Sequence, residues 1–180
     1  MASPSASERP RSGPRSSPFE TLGLPARFDL DPARVERQYR ELQKALHPDR
    51  YAQASASERR RALGKAVEVN EAYRVLRDDV ARAEALLALR GVGSRQEGAD
   101  PELLMEVIEL REALADARRA RDAGEVERLA ERVRAERASV LGELSAALDG
   151  DAARAIALVS RLRYYRRFLE EVAAIEDELG

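Results

Sequence analysis

The chain has 180 residues, of which 44% are hydrophobic, 36% are charged and only 4% are aromatic, and its formal net charge is -2. Acids match bases over most of the chain, so general binding to nucleic acid is excluded as the default function. Cysteine is absent and no apolar run approaches the roughly eighteen residues that a membrane span requires, which excludes disulfides, thiolate metal sites and a membrane anchor. Many Ala, Leu, Glu and Arg residues predict an all-α protein.

Residues 1–17 consist mainly of Ser, Pro, Ala and Arg. They offer too little apolar surface to offset the entropy of ordering, so we expect a disordered tail. An organelle presequence has a similar composition, but prolines at positions 4, 10, 14 and 18 oppose the amphipathic helix of such a signal.

The first long helix begins at Asp31-Pro32, an N-cap residue followed by proline at the first helical position. A period of 3.6 residues predicts that one side is apolar and that another, interrupted by Glu41, is predominantly basic. The apolar stripe comprises Val35, Tyr39, Leu42 and Leu46. The basic face comprises Arg37, Arg40 and Lys44.

The tripeptide His47-Pro48-Asp49 ends this helix, because proline cannot continue it, and contains the only histidine of the chain. Ser55 and Glu58 have the spacing of a capping box, so we expect the next helix to begin at Ser55 or Ser57 and the two helices to pack as an antiparallel hairpin. We expect the second helix to bury Leu63, Ala66, Val67, Asn70, Tyr73 and Leu76.

A single histidine before proline has an ordinary interpretation as a turn. A phosphotransfer bundle would need its histidine on the interior of a helix, whereas Pro48 places His47 at a helix end. One histidine, no cysteine and no glycine-rich phosphate loop do not form an enzyme site, so we predict that the chain is not an enzyme and needs no cofactor or metal.

Residues 91–100 are the predicted linker between two domains, since three glycines end one helix and Asp100-Pro101 starts another. Leu86, Leu87 and Leu89 before the linker favour a fixed arrangement of the domains. Beyond it we predict a three-helix bundle over residues 101–180, with helices near 101–121, 125–148 and 152–179 and turns marked by Gly124 and Gly150.

The first helix of this bundle has two apolar faces. Leu103, Val107, Leu110 and Leu114 form one face, and Leu104, Met105 and Ile108 form another about 130° away. A helix between two neighbours can bury both faces, so burial is the ordinary interpretation. The alternative is an exposed patch for a partner, bordered by Glu109 and Glu112.

These segments resemble two known arrangements. Phe19, the basic helix, His47-Pro48-Asp49 and Asn70-Glu71-Ala72-Tyr73 resemble a J-domain, here residues 18–90. Three further segments resemble HscB, the J-protein family of iron-sulfur cluster assembly: Arg82-Ala83-Glu84, Leu103-Leu104-Met105-Glu106 and Glu109-Leu110-Arg111-Glu112. This likeness covers about residues 18–179.

The resemblance implies a co-chaperone that stimulates the ATPase of an HscA- or DnaK-type chaperone and delivers an IscU-type scaffold to it. The chaperone-binding residues would be His47, Pro48, Asp49, Arg37, Arg40 and Lys44. The scaffold-binding residues would be Leu104, Met105, Ile108, Glu109, Glu112 and Tyr164.

The absence of an N-terminal cysteine module favours a cytoplasmic, bacterial-type protein over a mitochondrial one. Two alternatives stay open at this point. The client could be a protein other than the scaffold, or the chain could be a structural adaptor that self-associates through the apolar seams of residues 101–179.

Overall fold

The computed structural model describes residues 16–93 and 101–179, and every regular element within those two ranges is helical. This confirms the all-α prediction. The helices of the first range are α1 Pro18–Thr21, α2 Pro32–Ala45, a 3₁₀ turn at Pro48–Tyr51, α3 Ala56–Arg77 and α4 Asp79–Leu89. Those of the second range are α5 Pro101–Ala120, α6 Ala123–Gly150 and α7 Ala152–Leu179.

Side-chain caps start the helices where the sequence predicts them. The Asp31 carboxylate accepts the Ala33 N–H at 2.9 Å, and Ser55 and Glu58 form the expected reciprocal capping box. A second capping box, from Ser17 to Glu20, starts α1. Ser16 and Ser17 of the predicted tail are therefore part of the described structure, while residues 1–15 and the cap expected at Asp100 lie outside the described residues.

Helix α3 packs against α1 and α2 with only part of the side that the sequence predicted. Leu76 is buried as predicted, and Ala66 and Tyr73 are half buried. Leu63 and Val67 are 66% and 60% exposed, and Asn70 is also exposed, so their predicted burial is wrong. The buried residues of the helix are Ala62, Val69, Ala72 and Leu76. Small alanines allow the neighbouring helices to approach closely, and this contact outweighs the larger apolar area of Leu63 and Val67.

Helix α4 joins the two halves of the molecule. Leu86 and Leu87 are buried in the core that continues into α6 and α7, whereas Leu89 is half exposed. Cations of α6 and α7 form three ion pairs with acids of α4 and of its N-cap, Asp78. These pairs are Arg137–Asp79 at 2.8 Å, Arg163–Glu84 at 2.6 Å and Arg166–Asp78 at 3.1 Å. The halves therefore share an apolar and charged interface, which supports the expected fixed arrangement.

Helices α5, α6 and α7 pack as the predicted three-helix bundle. The first turn differs from the prediction, because Arg121 adopts a left-handed φ of 54° and Asp122 caps α6, so Gly124 lies inside the helix. Gly150 is the last residue of α6, and Asp151 caps α7 by accepting the Arg154 N–H at 2.9 Å. None of the described helices is long and apolar enough to cross a membrane.

Candidate functional site

The His47-Pro48-Asp49 turn projects from the end of the α2–α3 hairpin. His47 is the N-cap of the 3₁₀ turn, and its Nδ1 accepts the Asp49 N–H at 3.3 Å. A neutral imidazole in this arrangement carries its proton on Nε2. The Asp49 side chain is 90% exposed and His47 is 59% exposed. Both side chains are thus available to a partner while the backbone of the turn is held locally.

The basic face of α2 is exposed beside this turn, as predicted. Arg37 lies 3.7 Å from Asp31, and the Arg40 Nε donates to Glu36 at 2.7 Å. Lys44 is exposed in the last turn of the helix and complements its negative end. The three cations share one side of α2, and two of them are tethered by acids of the same helix.

A cleft of about 500 Å³ separates α2 from α3 next to the turn. Its lining combines cationic and amide side chains with a few apolar ones. The lining residues are Arg40, Gln43, Lys44, Leu46, His47, Pro48, Ala66, Val69 and Asn70. Four of the six residues predicted to bind a chaperone therefore line one surface depression.

The second apolar face of α5 is exposed. Leu104, Met105 and Ile108 are 50%, 58% and 43% exposed, and Glu109 and Glu112 are exposed next to them. We call these five residues the α5 patch. The other face is buried through Leu110 and Leu114. Burial of both faces, the ordinary interpretation, is therefore wrong, because only one side of α5 meets α6 and α7.

Tyr164 does not lie on the α5 patch. It is 7% exposed, and its hydroxyl donates to the Val107 carbonyl oxygen of α5 at 3.3 Å. Burial raises the pKa of Tyr164. A partner on the α5 patch would therefore meet little of this ring, which supports α5 from inside the bundle.

A polar contact between α5 and α7 was missed by sequence reasoning. Tyr165 is buried and its hydroxyl donates to Glu106 at 2.6 Å, while Arg161 donates to the same carboxylate at 2.9 Å. Burial and the Glu106 carboxylate together raise the pKa of Tyr165. The three residues fix α5 on α7 at the segment that carries the α5 patch, and no local signal in the sequence pairs Glu106 with residues more than fifty positions away.

The segments that match known proteins include both surfaces. Family models match the DnaJ domain over residues 17–85 and the HSCB C-terminal oligomerisation domain over residues 99–173. The chain belongs to the HscB family of co-chaperones. A co-chaperone protein HscB homolog from Burkholderia thailandensis is 39% identical over 164 residues, which are 89% of this chain and 94% of the relative.

Two further comparisons agree with this membership. The HscB homolog of Vibrio campbellii is 37% identical over 169 residues, 89% of this chain and 97% of the relative. The solved chaperone HscB from Vibrio cholerae has a TM-score of 0.82 at 35% identity, with 92% of this chain and 100% of that chain covered. A J-domain co-chaperone acts with a chaperone of the Hsp70 type, so the HscB family implies such a partner.

Proposed function

We propose that this co-chaperone stimulates ATP hydrolysis by an HscA- or DnaK-type chaperone and delivers an IscU-type scaffold to that chaperone during iron-sulfur cluster assembly. The observation that carries the proposal is the presence of two exposed surfaces, the His47-Pro48-Asp49 turn and the α5 patch, on one continuous core.

The turn and the basic face suit an acidic chaperone surface. Arg37, Arg40 and Lys44 would attract it over about a Debye length, roughly 8 Å at physiological ionic strength. His47 and Asp49 would then contact the ATPase, with Pro48 limiting the freedom of the turn. No proton transfer by His47 is required, because the hydrolysed nucleotide belongs to the chaperone.

The α5 patch suits a scaffold protein with an apolar docking surface. Leu104, Met105 and Ile108 form the centre, where adaptable methionine can fit an irregular partner, and Glu109 and Glu112 supply a charged border. A fixed interface through α4 would hold the scaffold at a set distance from the turn, so delivery follows from geometry as well as from effective concentration. The bacterial relatives favour a cytoplasmic setting.

The decisive experiment measures ATP turnover by a purified HscA- or DnaK-type chaperone, with and without scaffold. His47→Gln should abolish the stimulation and leave scaffold binding intact, because the turn lies between α2 and α3 whereas the α5 patch lies on a different helix. Gln53→Ala, an exposed change just after the turn, is the matched control and should behave like the wild type.

The reciprocal variant is Leu104→Ala/Met105→Ala/Ile108→Ala. It should weaken scaffold binding by about 2 kcal/mol or more, roughly thirtyfold, while stimulation without scaffold persists. Leu63→Ala/Val67→Ala removes equally exposed aliphatic surface from α3 and is the control. Folded wild-type protein that leaves turnover unchanged with every such chaperone would disprove the proposal. Normal stimulation without any response to scaffold would instead indicate another client.

A further inference from the structure

The carboxylate of Glu36 connects the basic face of α2 to α3. The Tyr73 hydroxyl of α3 donates to one Glu36 oxygen, and the Arg40 Nε donates to the other at 2.7 Å. Glu36 therefore contacts two groups at once, a cation four residues along its own helix and a phenol of the neighbouring helix. The order, glutamate before the cation by four residues, is the favourable one on a helix.

Tyr73 is itself restrained by a second tyrosine. Its ring stacks on that of Tyr39 with centroids 3.9 Å apart and planes 8° apart. The Tyr39 hydroxyl donates to Asn70 at 3.1 Å and accepts from the Gln43 side chain at 2.5 Å. Stacking and these hydrogen bonds hold both rings, so the Tyr73 hydroxyl is presented to Glu36 at a defined position.

The contact leaves Arg40 available to a partner. Its side chain is 75% exposed, and Glu36 engages Nε, so the outer edge of the guanidinium lies outside this contact. The Tyr73 hydrogen bond, with a smaller effect from Arg40, lowers the pKa of Glu36 and so favours its charged form. A long cation that is ordered before binding loses less conformational entropy when it meets its target.

We infer that Glu36 and Tyr73 are positioning residues that hold Arg40 in the orientation in which α2 meets the chaperone. The inference rests on the proposed function, since it concerns the same surface. Neither residue needs to touch the chaperone, because both act through the guanidinium of Arg40.

The first test compares Tyr73→Phe with Tyr39→Phe in the full chain. Tyr73→Phe keeps the ring stack and removes the hydroxyl that holds Glu36. We expect the concentration for half-maximal ATPase stimulation to rise about two- to tenfold, with stimulation at saturation unchanged. Tyr39→Phe removes a hydroxyl from the same stack without touching Glu36 and should shift that concentration less than twofold. Equal shifts would overturn the inference.

A double-mutant cycle shows whether Tyr73 acts through Arg40. Arg40→Ala alone should raise the concentration needed for half-maximal ATPase stimulation. Adding Tyr73→Phe to it should raise that concentration no further. Additive losses would mean that Tyr73 contributes by another route and would overturn the inference. Chemical unfolding of each variant separates a loss of folding from a loss of positioning.

A measurement without any chaperone tests the geometry directly. Nuclear magnetic resonance relaxation at the Arg40 Nε–Hε group should show an ordered side chain in the wild type and in Tyr39→Phe. It should show a mobile Arg40 side chain in Tyr73→Phe. If Tyr73→Phe proves unstable, Glu36→Gln takes its place in this measurement. A mobile Arg40 in the wild type would overturn the inference. Absence of ATPase stimulation by the wild type would disprove the proposed function, while this measurement would still decide the positioning of Arg40.

Discussion

The two surfaces that we propose to bind partners differ in how they are held. The α2–α3 region relies on side-chain hydrogen bonds, an aromatic stack and ion pairs that are largely exposed, as at Arg40 and Glu36. The centre of the α5 patch is apolar, with Glu109 and Glu112 at its border, and it lies on a helix whose other face, with Leu110 and Leu114, is buried. One surface is organised by polar contacts at the edge of a small hairpin, and the other by a packed core beneath it.

This difference suits two tasks. Exposed charges act over several ångströms and mainly set the rate of encounter and its specificity, and salt weakens them. Aliphatic surface acts only on contact and depends little on ionic strength. A co-chaperone that meets a chaperone briefly while retaining its cargo would benefit from separating the two kinds of recognition.

The largest expected effect concerns the core that joins the regions. Leu87→Ala removes a side chain with 0% exposure and should lower the free energy of unfolding by about 2–5 kcal/mol, because a cavity remains in the core. Leu104→Ala, on the α5 patch, should cost less than about 0.5 kcal/mol. Urea unfolding of both variants checks this, and equal costs would mean that the α5 patch is part of the core.

A smaller effect is expected at the buried hydrogen bond between Tyr165 and Glu106 in the three-helix bundle. Tyr165→Phe should cost about 1–2 kcal/mol at neutral pH, since Glu106 loses a buried donor. The pKa of Tyr165 is raised above the ordinary value of 10.0, so its neutral form stabilises the fold fully below pH 10. That stabilisation is lost as the pH rises above 10, because only the unfolded chain then ionises.

Unfolding measured from pH 8 to pH 11 should therefore show a steeper alkaline decline for the wild type than for Tyr165→Phe. The Tyr51→Phe variant, in the 3₁₀ turn of the hairpin, is the control from the other region. Identical slopes for the wild type and Tyr165→Phe would contradict the assigned burial of this hydroxyl.

Salt should distinguish the two surfaces functionally. Raising the ionic strength from about 0.05 M to 0.5 M shortens the Debye length to about a third, so half-maximal ATPase stimulation should require several times more co-chaperone. Scaffold binding at the α5 patch should change less than about twofold. Titrations of both activities across the same salt series test this contrast. Equal salt dependence would remove the distinction between an electrostatic and an apolar surface.

The smallest expected effect concerns one ion pair between α4 and α7. Arg163 and Glu84 are each about a third exposed and lie 2.6 Å apart, so a double-mutant cycle with Arg163→Ala and Glu84→Ala should give a coupling free energy of about 0.5–1 kcal/mol. Arg118–Glu178, a more exposed pair within the bundle, is the comparison and should give less. A coupling free energy near zero for Arg163–Glu84 would mean that this ion pair does not stabilise the contact between α4 and α7.

Local signals in the sequence predicted a large part of this structure. Asp31-Pro32 and Ser55 with Glu58 predicted helix starts correctly because a cap depends on residues within one turn. Pro48 likewise predicted the end of α2. The two apolar faces of α5 were also visible in the sequence, and their residue types supported the resemblance to the HscB family.

Long-range packing decided the rest. The sequence could not show that α3 would bury alanines instead of Leu63 and Val67, because the neighbouring helices select the side that allows the closest approach. The left-handed Arg121 after α5 is a local exception, since the Asp122 N–H donates to the Ala117 carbonyl oxygen at 3.0 Å, and the sequence did not show it because glycine usually takes that position. The contacts of Glu36 with Tyr73 and of Tyr165 with Glu106 join distant segments, and such pairs exist only once the helices are assembled.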